Sequence, residues 1–92
     1  MAIFSYKSGA YPSAMEIGSA RVILVQDGSI LVEMGATEIG QGADTVFTQI
    51  ASESLSIPYD QIHVVSTQDT DHAPFDTGAY ASRQTYVSGA AL

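Results

Sequence analysis

The sequence predicts an α+β fold, a two-layer unit in which a small mixed or antiparallel sheet is covered by two helices. Two observations carry this prediction. β-rich runs surround a short Asp27-Gly28 turn, and residues 44–56 repeat their apolar side chains at helical spacing. A chain of 92 residues has room for one hydrophobic core. We therefore expect a single domain over residues 1–92.

The first part of the chain supplies most of the predicted sheet. Ala2 to Lys7 is a short apolar stretch, which predicts a first strand followed by a loop that runs to Met15. Arg21 to Gln26 and Ile30 to Met34 are β-rich runs joined by Asp27-Gly28-Ser29. This pattern is typical of an antiparallel hairpin.

The spacing predicts a helix over Asp44 to Ser56. Apolar side chains fall on one face and polar ones on the other, so one face is expected to cover the sheet. The apolar set is Val46, Phe47, Ile50, Ala51 and Leu55, and the polar set is Thr48, Gln49, Ser52, Glu53 and Ser56. Pro58 ends the helix, because its ring fixes φ and moves Ile57 out of the α region.

The last part of the chain is predicted to hold a strand, a long loop and a weak helix. Ile62 to Ser66 is β-rich, whereas Gln68 to Tyr80 is rich in Asp, Thr, Pro and Gly and has little periodicity. Ala81 to Leu92 follows as the second helix. This loop and the loop before the first helix are longer than packing requires, so both are candidate binding loops.

Charge and composition exclude several classes of function. Three Lys and Arg residues against ten Asp and Glu give a net charge of −7, so nucleic acid is not an expected ligand. With no cysteine, the chain builds no disulfide and no thiolate metal site, and a cytoplasmic location is expected. The longest apolar run, Val22 to Val25, is too short to cross a membrane. A charged fraction of only 14% indicates a face meant for a partner.

The first candidate loop, Gly35 to Asp44, places two glycines around one glutamine just before the helix. Main-chain N–H groups at Gly40 and Gly42 and at the helix start can converge on a phosphate or a polar ligand edge, and Gln41 adds an amide. A dinucleotide fingerprint is rejected, since the third glycine is absent and the loop is too long. A purely conformational role of the glycines in a tight turn stays open.

The acidic residues of the second loop allow a metal-site or hydrolase interpretation, which their pattern disfavours. They are Asp69, Asp71 and Asp76, with His63 and His72 nearby in sequence. A calcium loop alternates its oxygen ligands densely around a glycine at the bend, and this stretch does not. We expect the carboxylates to accept hydrogen bonds from their own loop backbone, and we predict no protein-bound metal.

Thr77 to Gln84 closes the second loop with small residues around a tyrosine and an arginine. Main chain can therefore approach a ligand closely, while Ser82 and Arg83 offer donors. Arg83 is one of only three basic residues. It predicts either recognition of an anion or a salt bridge to a local carboxylate, and both stay open.

Three spaced motifs together resemble the molybdopterin-binding subunit of the xanthine dehydrogenase and aldehyde oxidase family of molybdenum hydroxylases. They are Gly35-Ala-Thr-Glu-Ile-Gly-Gln-Gly-Ala-Asp-Thr45, Ser66-Thr-Gln-Asp-Thr70 and Pro74-Phe-Asp-Thr-Gly-Ala-Tyr-Ala-Ser-Arg-Gln84. The resemblance runs over nearly the whole chain and includes the Asp-Gly hairpin and the Ile57-Pro58 break. It implies molybdenum-molybdopterin as the cofactor.

The resemblance also implies a set of site residues. The residue matching Gln41 contacts the cofactor, with Gly40 and Gly42 as its backbone frame. The second motif lines the other side of the metal centre, near the pterin and the substrate pocket, with Arg83 as a further member. Its other members are Gly78, Ala79, Tyr80, Ala81 and Ser82. The family's catalytic glutamate lies in a motif with no match here, so no catalytic residue is expected in this chain.

The activity implied by the resemblance is hydroxylation of a purine, N-heterocycle or aldehyde carbon with oxygen derived from water, and a purine is the substrate we expect. The second motif departs from the serine-containing version seen in many xanthine oxidases.

The expected partners are the remainder of the molybdenum subunit and iron–sulfur and FAD-containing subunits or domains. Alone, the chain is expected to be inactive and to self-associate through uncovered apolar faces. A free-standing, non-enzymatic binding module for an anionic metabolite is the alternative.

Overall fold

The computed structural model describes residues 1–7, 16–65 and 69–92. Within them lies a three-stranded mixed sheet in the order β1-β2-β3, together with helical segments. The elements are β1 (Ala20–Leu24), β2 (Ile30–Met34), α1 (Ala43–Leu55), a 3₁₀ turn (Tyr59–Gln61), β3 (Ile62–Val65), a π-helical turn (Gln84–Ser88) and α2 (Gly89–Ala91). The predicted α+β class is confirmed.

The predicted hairpin is present. β1 and β2 pair antiparallel, with Val22 opposite Val32. The turn between them closes on Asp27, whose Oδ1 accepts hydrogen bonds from the Ser29 main-chain N–H at 2.9 Å and hydroxyl at 2.7 Å. Gly28 has a φ of 90°, a left-handed conformation that glycine adopts without steric cost. Local turn chemistry is therefore sufficient to set this register.

The core lies between the sheet and α1. Alternate residues of β2 point into it, and small or aromatic residues of α1 meet them. The buried apolar residues are Ile30, Val32, Met34, Ala36, Ala43, Phe47, Ala51 and Ile62. β1 stays largely outside this core, with Leu24 72% exposed.

The predicted helix is confirmed, with two differences in its buried face. Thr48, placed on the polar side, is buried, because its hydroxyl donates to the Asp44 carbonyl at 2.7 Å and is satisfied within the helix. Leu55, placed on the apolar side, is 42% exposed. It is the last residue of α1, one turn beyond Ala51, where the buried face ends.

The chain leaves α1 and returns to the sheet as predicted. Ser56 takes a left-handed conformation, with a φ of 55°, and caps the helix just before Ile57-Pro58. β3 then pairs parallel to β2. Ser66, the predicted last residue of this strand, lies outside the described residues. Because parallel strands end at the same edge of a sheet, the loops that follow β2 and β3 both leave from that edge.

The predicted N-terminal strand is wrong. Residues 2–7 form no strand, and Ile3 and Phe4 are 83% and 88% exposed. A strand needs a hydrogen-bonding neighbour, and none of the described residues pairs with this stretch. The predicted loop to Met15 falls on residues 8–15, which lie outside the described residues.

The second helix begins later than predicted. Ala81 and Ser82 have φ values of 50° and 53°, which interrupt right-handed helical backbone, so helical structure starts only at Gln84. The π-helical turn packs against α1. Among residues 1–7, 16–65 and 69–92, no helix is long and apolar enough to cross a membrane.

Candidate functional site

The two candidate binding loops form opposite walls of one cleft of about 360 Å³. The first wall comprises the loop after β2 and the start of α1, and the second comprises residues 79–85. The cleft is lined by Ile39, Gln41, Ala43, Val46, Phe47 and residues 79–85. Its volume lies in the range of pockets that hold small molecules or parts of cofactors.

A glycine lets the two walls approach each other. Gly35 follows β2 directly, and a Cβ placed on it would lie 2.2 Å from the carbonyl oxygen of Pro74 and 2.7 Å from the Cβ of Asp76. Any other residue at position 35 would push residues 74–76 away from the end of β2. The segment that leads to the second wall therefore crosses the end of β2 in direct contact with its backbone.

The first wall is organised around Glu38. Gly40 and Gly42 have φ values of 93° and 86°, which only glycine adopts readily. The Glu38 carboxylate accepts hydrogen bonds from the main-chain N–H groups of Gly40 at 2.7 Å, Gly42 at 3.0 Å and Asp44 at 3.1 Å. The N–H groups that the sequence predicted to receive a ligand thus converge on a side chain of the same loop.

Glu38 was absent from the predicted site. Its pKa lies below the ordinary value, because the N–H groups of Asp44, Gly42 and Gly40 stabilise the charged carboxylate. The sequence does carry a signal for this contact. An acidic side chain just before a glycine-rich helix start is suited to the N–H groups and the positive end of the helix dipole.

Gln41 reaches the cleft with its amide already oriented. Its Oε1 accepts the Ile39 N–H at 2.7 Å, and its Nε2 donates to the Thr37 carbonyl at 3.0 Å and to Gln84 Oε1. Both Nε2 hydrogens are therefore engaged, and Oε1 keeps one acceptor position. Gln84, which is buried, also donates its Nε2 to the Thr37 carbonyl at 2.8 Å. It was not among the predicted site residues, yet it ties the two walls together.

The second wall contains strained backbone. Ala81 and Ser82 both lie in the left-handed region, which costs an L-residue roughly 1–2 kcal/mol. Such strain is concentrated at ligand sites, where the surrounding structure holds it in place. Gly78, with a φ of 119°, lies just before this turn. Ser82 is exposed and lines the cleft.

The Arg83 side chain is fully buried in a cluster of carboxylates and carbonyls. Its Nε donates to Glu16 at 2.6 Å, its Nη1 to Asp76 and to the Gly78 carbonyl, each at 2.6 Å, and its Nη2 to the Ile17 carbonyl at 2.5 Å. Burial alone lowers the pKa of the guanidinium, but the hydrogen bonds that it donates to the Asp76 and Glu16 carboxylates outweigh burial, so the pKa is raised. The sequence left open whether Arg83 recognises an anion or forms a salt bridge to a local carboxylate, and the structure contains the salt bridge.

Asp76 and Tyr80 complete this cluster. The Asp76 carboxylate also accepts the Gly78 N–H and the Ser88 hydroxyl, each at 2.8 Å. The Tyr80 ring lies with its centroid 5.5 Å from the Arg83 guanidinium carbon, and its hydroxyl donates to Glu16 at 3.4 Å. The cluster therefore fixes the second wall from behind, while residues 79–82 line the cleft.

In the second candidate loop, Asp69 accepts a hydrogen bond from the loop backbone, as the sequence predicts. Its carboxylate accepts the Asp71 N–H at 3.0 Å and lies 2.8 Å from His72 Nδ1. Both contacts lower the pKa of Asp69, and the contact with His72 has the larger effect. His63 lies on β3 and is exposed. Within the described ranges, no group of three His, Cys, Asp or Glu side chains is arranged to hold a metal ion.

Comparison with known proteins identifies the family. Residues 1–92 match the family model described as "Molybdopterin cofactor-binding domain". The chain is 55% identical over 92 residues to the xanthine dehydrogenase molybdenum-binding subunit of Escherichia coli O157:H7, covering 100% of this chain and 12% of that protein. It is 40% identical over 73 residues to the carbon monoxide dehydrogenase large chain of Afipia carboxidovorans, covering 79% and 9% of the two chains.

A solved structure agrees with this assignment. The crystal structure of the Cu,Mo-CO dehydrogenase in its carbon monoxide reduced state superposes with a TM-score of 0.77 at 38% identity, over 83% of this chain and 9% of that one. The chain thus spans only a small part of the proteins it matches. On the family model and the whole-length identity together, the chain belongs to the molybdopterin cofactor-binding domain family.

Proposed function

We propose that this cleft binds part of a molybdenum-molybdopterin cofactor, as one piece of the molybdenum-binding subunit of a xanthine dehydrogenase-like hydroxylase. The observation that supports it best is the meeting of Gln41 with residues 79–82 across a single cleft. When bound, the cofactor would supply the redox centre for hydroxylation of a purine, N-heterocycle or aldehyde carbon with oxygen from water. A purine is favoured by the name of the 55% identical relative.

The residues of the two walls suit this role in different ways. Gln41 would accept a hydrogen bond from the cofactor at its remaining Oε1 position, with Gly40 and Gly42 holding its backbone. On the second wall, the main chain of residues 78–81 would approach the cofactor closely and Ser82 would donate a hydrogen bond. Tyr80 would cover one side, and Arg83 would act from behind by holding Gly78.

The cleft holds only part of what the cofactor needs. Among the lining residues Arg83 is the only cation, and its guanidinium is occupied by Glu16 and Asp76. A phosphate-bearing cofactor therefore needs positive charge from elsewhere. We propose that the remainder of the molybdenum subunit supplies it together with the catalytic glutamate, that iron–sulfur and FAD centres lie on other domains or subunits, and that this chain alone is inactive.

Exposed apolar side chains support a larger assembly. Ile3, Phe4 and Leu24 are 83%, 88% and 72% exposed, and Phe75 and Tyr86 add to this surface. The remainder of the subunit would cover them, and the isolated chain would self-associate. A cytoplasmic location is part of this proposal, since a chain without cysteine needs no oxidising compartment. Light scattering tests the self-association, and a monomer at high concentration would contradict it.

The alternative of a free-standing binding module for an anionic metabolite finds no support in the site. The main-chain N–H groups of the first wall are taken by Glu38, and the Arg83 guanidinium is taken by two carboxylates. The intact mass of the native polypeptide separates the two proposals. A mass far above 9.7 kDa in a molybdenum-containing fraction is expected, and a mass of 9.7 kDa would favour the module.

Gln41→Ala tests the cofactor contact. Loss of one neutral hydrogen bond corresponds to about 0.5–1.5 kcal/mol, or about two- to tenfold in affinity, so molybdenum content per subunit and turnover should both fall. Gln49→Ala is the matched control, because Gln49 is exposed on α1 and does not line the cleft. Equal molybdenum content and rate in the two variants would contradict the role of Gln41.

A further inference from the structure

The start of α1 carries a set of main-chain N–H groups directed at one point. The left-handed conformations of Gly40 and Gly42 turn their N–H groups to the same side as that of Asp44 in the first turn. Groupings of this kind ordinarily bind phosphate or another anion, helped by the helix dipole. Here the Glu38 carboxylate accepts hydrogen bonds from these N–H groups with both of its oxygens. Oε1 accepts from the two glycines and Oε2 accepts from Asp44.

This arrangement has two consequences for a ligand in the neighbouring cleft. An anionic group of the ligand finds these N–H groups occupied and meets a fixed negative charge beside them. Gln41 lies between the two glycines whose N–H groups Glu38 holds, so its backbone direction depends on the carboxylate. Glu38 itself does not line the cleft.

The N–H groups of Gly40, Gly42 and Asp44 form an anion-binding nest at the start of α1. We propose that Glu38 is a positioning residue, because its carboxylate occupies this nest and holds Gly40 and Gly42 so that Gln41 faces the cleft. The Gly-Gln-Gly loop is then a support for one amide side chain, and the ligand's phosphate is bound elsewhere. The effect on the cofactor rests on the proposed function, whereas closure of the nest concerns this chain alone.

The chemistry of the carboxylate agrees with this role. Hydrogen bonds from the Asp44 and Gly42 N–H groups lower the pKa of Glu38, so the side chain carries its charge throughout the neutral range. A glutamine in its place would keep one oxygen for the two glycines but would turn an amide NH₂ toward the Asp44 N–H, where two donors would oppose each other.

The test uses the complete enzyme that contains this chain, with Glu38→Ala, Glu38→Gln and the control Glu53→Ala. Glu53 is exposed on α1, and the structure gives its carboxylate no hydrogen bond within the described residues. We expect both Glu38 variants to lose about tenfold in molybdenum content or turnover, as for other groups that orient a ligating residue, and Glu53→Ala to lose neither. Equal behaviour of Glu38→Ala and Glu53→Ala would overturn the proposal.

Chemical rescue separates positioning from a general loss of stability. Acetate can enter the nest opened by Glu38→Ala and replace the missing carboxylate, whereas it cannot enter the wild-type nest. We expect acetate to restore a measurable part of the lost molybdenum content or rate, beyond the effect of chloride at equal ionic strength. Recovery no greater than with chloride would count against closure of the nest by a carboxylate.

A crystal structure of the unsubstituted enzyme keeps the proposal testable if the variants do not fold. The expected result is the Glu38 carboxylate within about 3 Å of the three N–H groups. A phosphate oxygen at that position would overturn the inference. This outcome is independent of the Gln41→Ala experiment, so nest closure can stand while the proposed function fails, and the reverse.

Discussion

The two walls of the cleft are held by charged side chains that differ in burial and in the groups they bind. On the first wall, the Glu38 carboxylate remains in contact with solvent and binds uncharged main-chain N–H groups. On the second wall, the Arg83 guanidinium and the Asp76 carboxylate are both fully buried and contact each other at 2.6 Å. Charges near water are screened, whereas a buried charge depends entirely on its partner. We therefore expect the second wall to depend more strongly on its ion pair than the first wall depends on the Glu38 charge.

The largest expected effect is that of Arg83→Met. The substitution leaves the buried Asp76 carboxylate without its counter-charge, which costs on the order of 3–5 kcal/mol in the free energy of unfolding. Urea denaturation measures it. Arg21→Met is the control, because it breaks an exposed pair with Glu33 and should cost about 0–1 kcal/mol. Similar losses in both variants would show that the buried pair of the second wall is worth no more than an exposed one.

Gly35→Ala should have the next largest effect. The added methyl group meets the Pro74 carbonyl oxygen at 2.2 Å, so backbone must shift, at about 1–3 kcal/mol. Gly28→Ala is also strained by its φ of 90°, but its Cβ would meet nothing within 4 Å. We expect both variants to be destabilised and only Gly35→Ala to lose cofactor. Equal cofactor retention would show that the crossing at Gly35 does not position the second wall.

Gln84→Ala tests the link between the walls. It removes the hydrogen bonds of a buried amide to Gln41 and to the Thr37 carbonyl, and we expect a loss of about 1 kcal/mol. Thermal unfolding of this variant should be compared with that of Gln49→Ala, whose exposed side chain predicts a change within about 0.5 kcal/mol. If the two midpoints coincide, the walls are not coupled through Gln84.

The smallest effect is expected from pH and concerns the first wall. The folded-state pKa of Glu38 is depressed, so its stabilisation is fully present above the ordinary value of 4.5 and is lost as the pH falls through the folded pKa. The amide NMR signals of Gly40 and Gly42 should therefore move together at a midpoint below 4.5. A midpoint at 4.5 or above would contradict the hydrogen bonds that Glu38 accepts.

Much of the fold is predictable because it follows from short-range rules. The hairpin depends on Asp27 and Gly28, and the helix depends on the spacing of Phe47 and Ala51, all of which act on neighbouring residues. The predicted N-terminal strand failed for the opposite reason. An apolar run such as residues 2–7 becomes a strand only if another strand pairs with it, and sequence alone does not show that partner.

The sequence singled out residues that line the cleft but not the contacts among them. Gln41 and residues 78–82 are conspicuous in sequence because glycine and small residues allow close approach of main chain. Glu38 and Gln84 were missed, since an acidic residue before a glycine-rich helix start is only a weak signal and a glutamine at a helix start carries no specific one. Their roles appear only when the distances to Gly40, Gly42 and Gln41 are known.

By itself, the sequence determined the hairpin, α1 and its end before Pro58, the two candidate loops and the resemblance to a family, since these rest on local conformational preferences and residue order. Only the tertiary structure decided between the two roles of Arg83. The partner Glu16 lies 67 residues away in the chain, so their hydrogen bond exists only after folding. The same is true of Gln41 and Gln84, 43 residues apart, because burial and long-range pairing depend on how the whole chain packs.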